Sequence, residues 1–373
     1  MKLLVATGLF PPQIGGPATY SKLLQDELPK HNVGVTVVNF GDVRHLPFFI
    51  RHFFYLLKLL RDGHRHDLIY AQDTVSVGIA AALASYVLFK PLWVRVPGHH
   101  EWEQAVQRFG VTATLDEYVT SPPRNLFLRC MRLGTALVFS RAERIVVPSH
   151  YMSRVLVSSG VAPQKIKIIY SSIRRPEIAG DRKALRSRLD LPEGRVIVSA
   201  GRLVPWKGFQ ELISTFSELK GTLFDITLVI AGDGPLMATL KEHARSLGVE
   251  DSVRFTGTLS QVELFSYIRA GDVFVLNTAY EGLSHLLIEV MALGTPIITT
   301  PVGGNTELIT DGKEGLLVAY NSKVSLKQAV QKILSDSALG EGFASRAKDK
   351  AEAFMAKDSA SVLLEEFRTL GYV

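Results

Sequence analysis

Arg202 and Lys207 stand five positions apart in the stretch Gly201-Arg-Leu-Val-Pro-Trp-Lys-Gly-Phe-Gln-Glu211. Two fixed cations on one short loop suit a diphosphate: the guanidinium offers a planar fork and the ammonium a compact point charge. Two carboxylates follow, Glu281 and Glu289, with seven residues between them. A carboxylate accepts hydrogen bonds from hydroxyls. Glu289 is flanked by Leu286, Leu287, Val290 and Met291, and a carboxylate near an apolar face needs a partner. A ribose diol is one candidate. Arg202 and Lys207 alone also describe a solvated basic loop; the carboxylates tip the reading toward a nucleotide.

These groups must be positioned by the chain around them. The apolar run Arg195–Ala200 reads as a buried parallel strand, and Gly201 lets the backbone turn out of it. Phe209, Leu212, Ile213 and Phe216 then recur at helix spacing. Arg202 and Lys207 therefore lie on a strand-to-helix loop, beside a helix N-terminus, at the carboxyl end of a strand. Ligands of open α/β sheets bind there. A second buried strand, Asp272–Asn277, precedes Glu281. The pattern predicts Glu281 in a loop and Glu289 two turns into a helix, at nearly the same azimuth given ~3.6 residues per turn. The N–H groups of Gly282, Leu283 and Ser284, at that helix start, are candidate dipoles for growing negative charge. Gly232-Asp-Gly234 follows the strand Ile226–Ala231 and lacks the third glycine of a dinucleotide fingerprint, so it reads as a tight turn lining the nucleotide pocket.

In order and spacing, Gly201-Arg-Leu…Lys207-Gly, Gly232-Asp-Gly-Pro235, Phe255-Thr-Gly257, Glu281-x7-Glu289 and Val302-Gly-Gly304 followed by Glu307-Leu-Ile resemble the family 4 glycosyltransferases (glycosyl transferases group 1) of the GT-B architecture. The resemblance is specific over roughly 195–320 and looser before it. It implies an α/β fold of two Rossmann-like doubly wound parallel-sheet domains facing across a cleft. It also implies a retaining, metal-independent hexosyltransferase acting on a UDP- or GDP-sugar, with the nucleotide-sugar as substrate and no cofactor. By resemblance Glu281 holds donor-sugar hydroxyls, Glu289 holds the ribose, and the last helix returns to the first domain.

The first half fits that architecture. Leu3–Ala6, Val33–Asn39, Asp67–Tyr70, Leu92–Val96, Arg144–Pro148 and Ile166–Ile169 read as strands, with helical patterns such as Ala18–Leu28 and Val75–Leu88 between them. The expected organisation is 1–172 for the acceptor-binding domain, 173–194 for a hinge, 195–355 for the donor domain and 356–373 for the returning helix. Gly15-Gly16 opens a helix whose exposed N–H groups suit an anion, and the resemblance makes this pair face the donor. An ordinary turn with Pro17 as first helical residue is the alternative. Val94-Arg-Val-Pro-Gly-His-His-Glu-Trp-Glu103 sets a polar cluster at a strand end. His99 is the candidate catalytic imidazole, not separable here from His100, and Glu101 or Glu103 is positioned to hold either ring. Residues 104–123 read as an irregular excursion, an acceptor loop.

Composition narrows the class. Residues 1–180 hold 21 Lys and Arg against 12 Asp and Glu; the remainder hold 21 against 24. Such asymmetry suggests an anionic partner for the first half: a membrane, a phosphorylated acceptor or nucleic acid. No zinc-finger spacing or other nucleic-acid motif accompanies it, so nucleic acid ranks last. Residues 46–61 are dense in Phe and Leu, with Arg51, Lys58 and Arg61 interspersed. They read equally as an interfacial helix on an anionic membrane and as a core helix covering the sheet. Cys130 alone excludes a disulfide framework and a cysteine metal site, and fits a reducing, cytoplasmic compartment. The N-terminal apolar run is too short for a signal peptide. No Asp-x-Asp pair marks a metal-bridged diphosphate, and neither Gly-x-Ser-x-Gly nor a Walker loop occurs. The expected partners are a nucleotide-sugar donor and a lipid-linked or saccharide acceptor, with peripheral membrane contact. A nucleotide-sugar epimerase on the same architecture, and a non-enzymatic membrane module with a vestigial pocket, are the rival readings.

Overall fold

The computed structural model describes residues 1–13, 15–173, 175–223, 225–355 and 358–373, apart from the side chains of 48 and 49. The chain divides into two compact units, residues 1–172 with 357–373 and residues 173–356.

The first unit runs β1 (Lys2–Thr7), α1 (Gly16–Glu27), β2 (Gly34–Asn39), α2 (Phe48–Gly63), β3 (Leu68–Ala71), α3 (Gly78–Val87), β4 (Leu92–Arg95), α4 (His100–Phe109), α5 (Leu115–Thr120), α6 (Leu126–Arg141), β5 (Arg144–Val147), α7 (His150–Ser158) and β6 (Ile166–Ile168). Among the described residues its strands form one parallel sheet, ordered β2-β1-β3-β4-β5-β6. The inner strands β3 and β4 are buried at every position, whereas edge strand β2 is only partly covered. Full burial on both faces explains why they read as continuous apolar runs.

The second unit runs α8 (Arg182–Arg188), β7 (Arg195–Ala200), α9 (Phe209–Lys220), β8 (Ile226–Ala231), α10 (Met237–Ser246), β9 (Val253–Gly257), α11 (Gln261–Ala270), β10 (Val273–Leu276), α12 (His285–Leu293), β11 (Ile297–Thr299), α13 (Asn305–Leu308), β12 (Leu316–Leu317), α14 (Lys323–Ser335) and α15 (Ser337–Met355). Its strands form a second parallel sheet, ordered β12-β11-β10-β7-β8-β9. The order reverses between β7 and β10, and ligands of such sheets bind at that switch point, outside the strands' carboxyl ends. The core gathers Ile197, Phe209, Phe216, Leu228 and Val275 with Val330 and Phe343.

A last helix, α16 (Ser359–Thr369), belongs to the first unit. Leu363, Leu364 and Phe367 join the core around Leu3, Tyr70 and Trp93. Buried Glu366 is clasped by Arg144 at 3.1 Å and Lys167 at 2.5 Å.

Two expectations need correction. Residues 104–123 are mostly helical, not an irregular excursion: α4 continues to Phe109, and α5 starts on a capping box in which the Thr114 hydroxyl accepts from Glu117 N–H and the Glu117 carboxylate accepts from Thr114 N–H. Residues 173–194, expected to join the two domains, include α8. Arg174, within that stretch, and Ile14, within the loop after β1, lie outside the described residues. Finally, α12 begins only at His285, with the Ser284 hydroxyl capping Leu287 N–H at 3.3 Å. Glu289 is therefore one turn into the helix, and Glu281 shares no helical azimuth with it.

Asp272 fixes α8 to the second sheet. Its carboxylate is buried and accepts from Arg186 at 2.6 Å and from Val196 N–H at 2.7 Å, with Arg182 at 3.4 Å. Removing it strands a guanidinium and a backbone donor out of water. Asp272→Ala should cost about 3 kcal/mol, read as a lower urea midpoint for the second unit's unfolding. An unchanged midpoint would show that the cluster adds nothing.

Candidate functional site

Five loops meet at the carboxyl ends of β7, β8, β9, β10 and β11, and close backbone approaches lock them. Gly232 (φ +130°) follows β8; a Cβ there would lie 2.0 Å from the Gly201 carbonyl oxygen. Gly232 N–H donates to Gly257 O at 2.9 Å, tying in the end of β9. Leu203 N–H donates to Asp233 O at 3.0 Å. The Gly232-Asp-Gly234 segment is thus a turn packed on the Arg202 loop. Gly303 (φ +57°) follows β11, and a Cβ there would lie 2.0 Å from the Glu281 carbonyl oxygen. Only glycine allows both that conformation and that contact. Gly304 N–H then donates to this oxygen at 2.9 Å.

The β7 and β10 loops are stitched directly. Ala279 N–H donates to Trp206 O at 2.7 Å. Asn277, buried at the end of β10, donates its amide to Gly208 O at 3.0 Å and to Asn321 Oδ1 at 2.9 Å. Gly208 (φ +55°) leads directly into α9.

This framework brings Lys207 and Glu281 together. The Lys207 ammonium donates to the Glu281 carboxylate, and both side chains are mostly sheltered from solvent. Lys207 ends a single 3-10 turn, Pro205–Lys207, while Arg202 stands exposed on the same loop. Gly282, Leu283 and Ser284 are buried between Glu281 and the start of α12. Glu289 is half-buried; the Gln261 amide donates to it at 3.3 Å. Burial pushes its carboxyl up to about 7, and the Gln261 hydrogen bond opposes that rise. Sequence reading missed Gln261 and Asn277. The Ser260–Glu263 capping box announces the helix that carries Gln261, but nothing local announces either contact.

In the first unit, Gly15 (φ +154°) caps α1 and Gly16 is its first residue, with Pro17 second. His99 caps α4: its Nδ1 accepts from Trp102 N–H at 3.2 Å. A neutral ring so engaged carries its proton on Nε2. Burial lowers the His99 pKa, while Glu101 pulls it back up. His99 is thereby distinguished from His100, the first residue of the helix. Glu101 is taken by other groups: Tyr118 and Arg132 each donate to its Oε1 at 2.6 Å. Beside this network lies a cavity of about 470 Å³, bordered by His99, Tyr118, Arg132, Phe139, Leu156 and Lys165. Among the described residues no group of three or more His, Cys, Asp or Glu converges to hold a metal ion.

Comparison with known proteins gives matches along most of the chain. Residues 181–350 match the family model described as Glycosyl transferases group 1, and residues 14–174 match Glycosyltransferase Family 4. Alpha-monoglucosyldiacylglycerol synthase of Streptococcus pneumoniae is 26% identical over 347 residues, 85% of this chain and 75% of that protein. A GDP-mannose-dependent alpha-(1-6)-phosphatidylinositol monomannoside mannosyltransferase of Mycobacterium tuberculosis is 34% identical over 169 residues, 43% of this chain and 44% of that protein. The chain thus spans less than half the length of the second relative. Among solved structures, HepE of Anabaena in complex with UDP-glucose superposes with a TM-score of 0.76 at 19% identity, covering 100% of both chains. Sucrose-phosphate synthase of Thermosynechococcus elongatus gives 0.78 at 18% identity, over 99% of this chain and 98% of that one. At such identities the likeness is one of fold.

The raised Glu289 pKa fixes the sign of a pH effect. Folding favours the neutral carboxyl, so its contribution is full below the unfolded value near 4.5 and is lost as pH rises through about 7. Glu289→Gln should therefore unfold at a higher temperature than the parent at about pH 8, with the gap closing toward about pH 5. A gap independent of pH would mean that Glu289 is not buried as an acid.

Proposed function

We propose, for a chain that belongs to the family 4, group 1 glycosyltransferases of the two-domain GT-B fold, a specific reaction. It moves a hexosyl group from a UDP- or GDP-sugar to a hydroxyl of a lipid-linked or glycan acceptor, with retention at the sugar carbon and without a metal ion. The observation that carries this reading is the sheltered Lys207–Glu281 pair beside exposed Arg202 at the second sheet's switch point. For the donor, support comes from HepE, crystallised with UDP and with UDP-glucose, and from a relative named as GDP-mannose-dependent. For the acceptor, it comes from relatives named for diacylglycerol and phosphatidylinositol glycolipids and for lipopolysaccharide core. A peripheral contact of the first unit with an anionic membrane belongs to the same reading.

The chemistry needs one bond broken and one made. The sugar carbon leaves the terminal phosphate oxygen of the nucleoside diphosphate, and an acceptor hydroxyl oxygen joins it on the same face. The hydroxyl proton passes to the departing phosphate. Negative charge grows on that phosphate, and Arg202, Lys207 and the N–H groups of Gly282, Leu283 and Ser284 stabilise it. Preformed donors do this without reorganising as the charge develops. Lys207 has three N–H donors, so it can hold Glu281 and still meet a phosphate oxygen. Glu281, anchored by Lys207, accepts from donor-sugar hydroxyls; Glu289, once ionised, accepts from the ribose. Gly15, Gly16 and the Nε2–H of His99 are assigned to the sugar and the reacting hydroxyl.

Lys207→Ala and Arg202→Ala should fold, yet each should lose roughly 10²–10³ in transfer rate, the usual cost of one transition-state donor. Turnover of the parent protein should also survive EDTA. Near-parental rates in a folded variant would remove that residue from the mechanism. Activity abolished by chelation and restored by magnesium or manganese would overturn the metal-free step.

A further inference from the structure

We propose that α2, α3 and α6 together form a surface that docks on an anionic phospholipid membrane, resting on the membrane contact included in the reading above. Sequence reading singled out only α2. In the structure α2 has two apolar faces. Tyr55 and Leu59 are fully buried under it, while Ile50, Phe53, Phe54 and Leu57 remain exposed. Those four recur at i, i+3, i+4 and i+7, one face of a helix. Phe48 and Phe49, part of the same sequence signal, have side chains outside the described residues.

Helix α3 extends this face. It packs against both α2 and α6, and Gly134 of α6 admits Ile79 of α3: a Cβ there would lie 2.7 Å from Ile79 Cδ1. Helix α3 reads Gly-Ile-Ala-Ala-Ala-Leu-Ala-Ser-Tyr-Val and carries no charged side chain, yet it is a surface helix. Leu83 and Val87 are exposed, Tyr86 is 71% exposed and Phe89, just past its end, is 89% exposed. A helix apolar all round ordinarily lies in a core or a membrane. Helix α6 repeats the pattern. Leu126, Leu133 and Leu137 form an outer stripe, with Leu133 70% exposed, and Phe127 stands beside it. A face this continuous marks a docking site rather than scattered apolar residues.

Charge selects the occupant. Residues 46–61, 74–90 and 118–142 contain no Asp or Glu but carry Arg51, Lys58, Arg61, Lys90, Arg124, Arg129, Arg132 and Arg141. Lys58, Arg61 and Arg132 are paired with Asp42, Asp62 and Glu101, whereas Arg124 and Arg129 are exposed on the α6 side. Arg108 lies over the Phe127 ring at 5.4 Å. Apolar side chains interleaved with cations match the acyl boundary and headgroups of an anionic monolayer. A second copy of the same face would bring cation against cation. Among the described residues no helix is long and apolar enough to cross a membrane, so this contact is peripheral.

The test is cosedimentation of the full chain with phosphatidylcholine vesicles, with and without phosphatidylglycerol. It uses no donor or acceptor, so a chain that transfers no sugar would leave its result standing. The parent should bind the anionic vesicles preferentially; salt should release part, leaving a remainder held by inserted side chains. Tyr86→Glu/Leu133→Glu and, separately, Arg124→Glu/Arg129→Glu should each reduce binding about tenfold or more. Val262→Glu, at an exposed apolar position of the second unit, should bind as the parent does. All variants keep buried positions intact, and circular dichroism checks their folding. Absence of a preference for anionic vesicles would overturn the proposal. So would a folded Tyr86→Glu/Leu133→Glu protein that binds like the parent, since α2 would then suffice. A lipid-free dimer that this variant converts to monomer would assign the face to a second copy instead.

Discussion

Lys207 and Glu281 are held against each other largely out of water, and the second unit's site depends on keeping them so. Two charges in such a place carry a desolvation cost that only good geometry offsets. That geometry comes from backbone rather than from side-chain packing. Gly303 lies so close to the Glu281 carbonyl that no Cβ fits, and a Cβ on Gly208 would lie only 2.4 Å from Asn277. Asn277 in turn holds the Gly208 carbonyl. The two loops that carry the pair arise from neighbouring strands at the point where strand order reverses. Backbone contacts thus set the positions of the pair, and prior positioning is what makes fixed dipoles and cations useful to a developing charge. Arg202, exposed on the same loop, is the member free to follow a ligand.

The first unit divides its polar groups differently. Glu101, Tyr118 and Arg132 satisfy one another and build the wall of a cavity. The Tyr118 and Arg132 bonds converge on one carboxylate oxygen, Glu101 Oε1. His99 accepts through Nδ1 from its own helix, and burial lowers its pKa. One parallel-sheet architecture, used twice, thus carries two different arrangements of polar groups.

Much of this was legible in the chain itself. The buried parallel strands declare themselves as apolar runs, and Arg195–Ala200 and Ile226–Ala231 coincide with β7 and β8. Loops after strands place Arg202, Lys207 and Glu281 by connectivity alone. What failed was local or long-range in character. The sequence pattern places the start of α12 too early because Ser284 caps a sequence without an acidic residue three positions on. The α4–α5 region reads as irregular, although Thr114-Leu-Asp-Glu117 spells a capping box. Helix α8 was hidden because its anchor, Asp272, lies 86 residues from Arg186. The Lys207–Glu281 pair spans 74 residues; motif order suggested that both matter but not that they touch. The α3 and α6 faces escaped notice because exposure, unlike periodicity, is set by what packs on a helix.

The most direct measurement is protection against thermal unfolding by a graded set of ligands: nucleoside, nucleoside monophosphate, nucleoside diphosphate and nucleotide-sugar, for uracil, guanine and adenine bases. A ligand that binds only the folded chain raises its stability with the logarithm of concentration over Kd. The account predicts protection that steps up at the diphosphate, for uracil or guanine, and that falls away when Lys207 and Arg202 are both replaced by alanine. Protection by the bare nucleoside equal to that by the diphosphate, or none by any nucleotide, would contradict it.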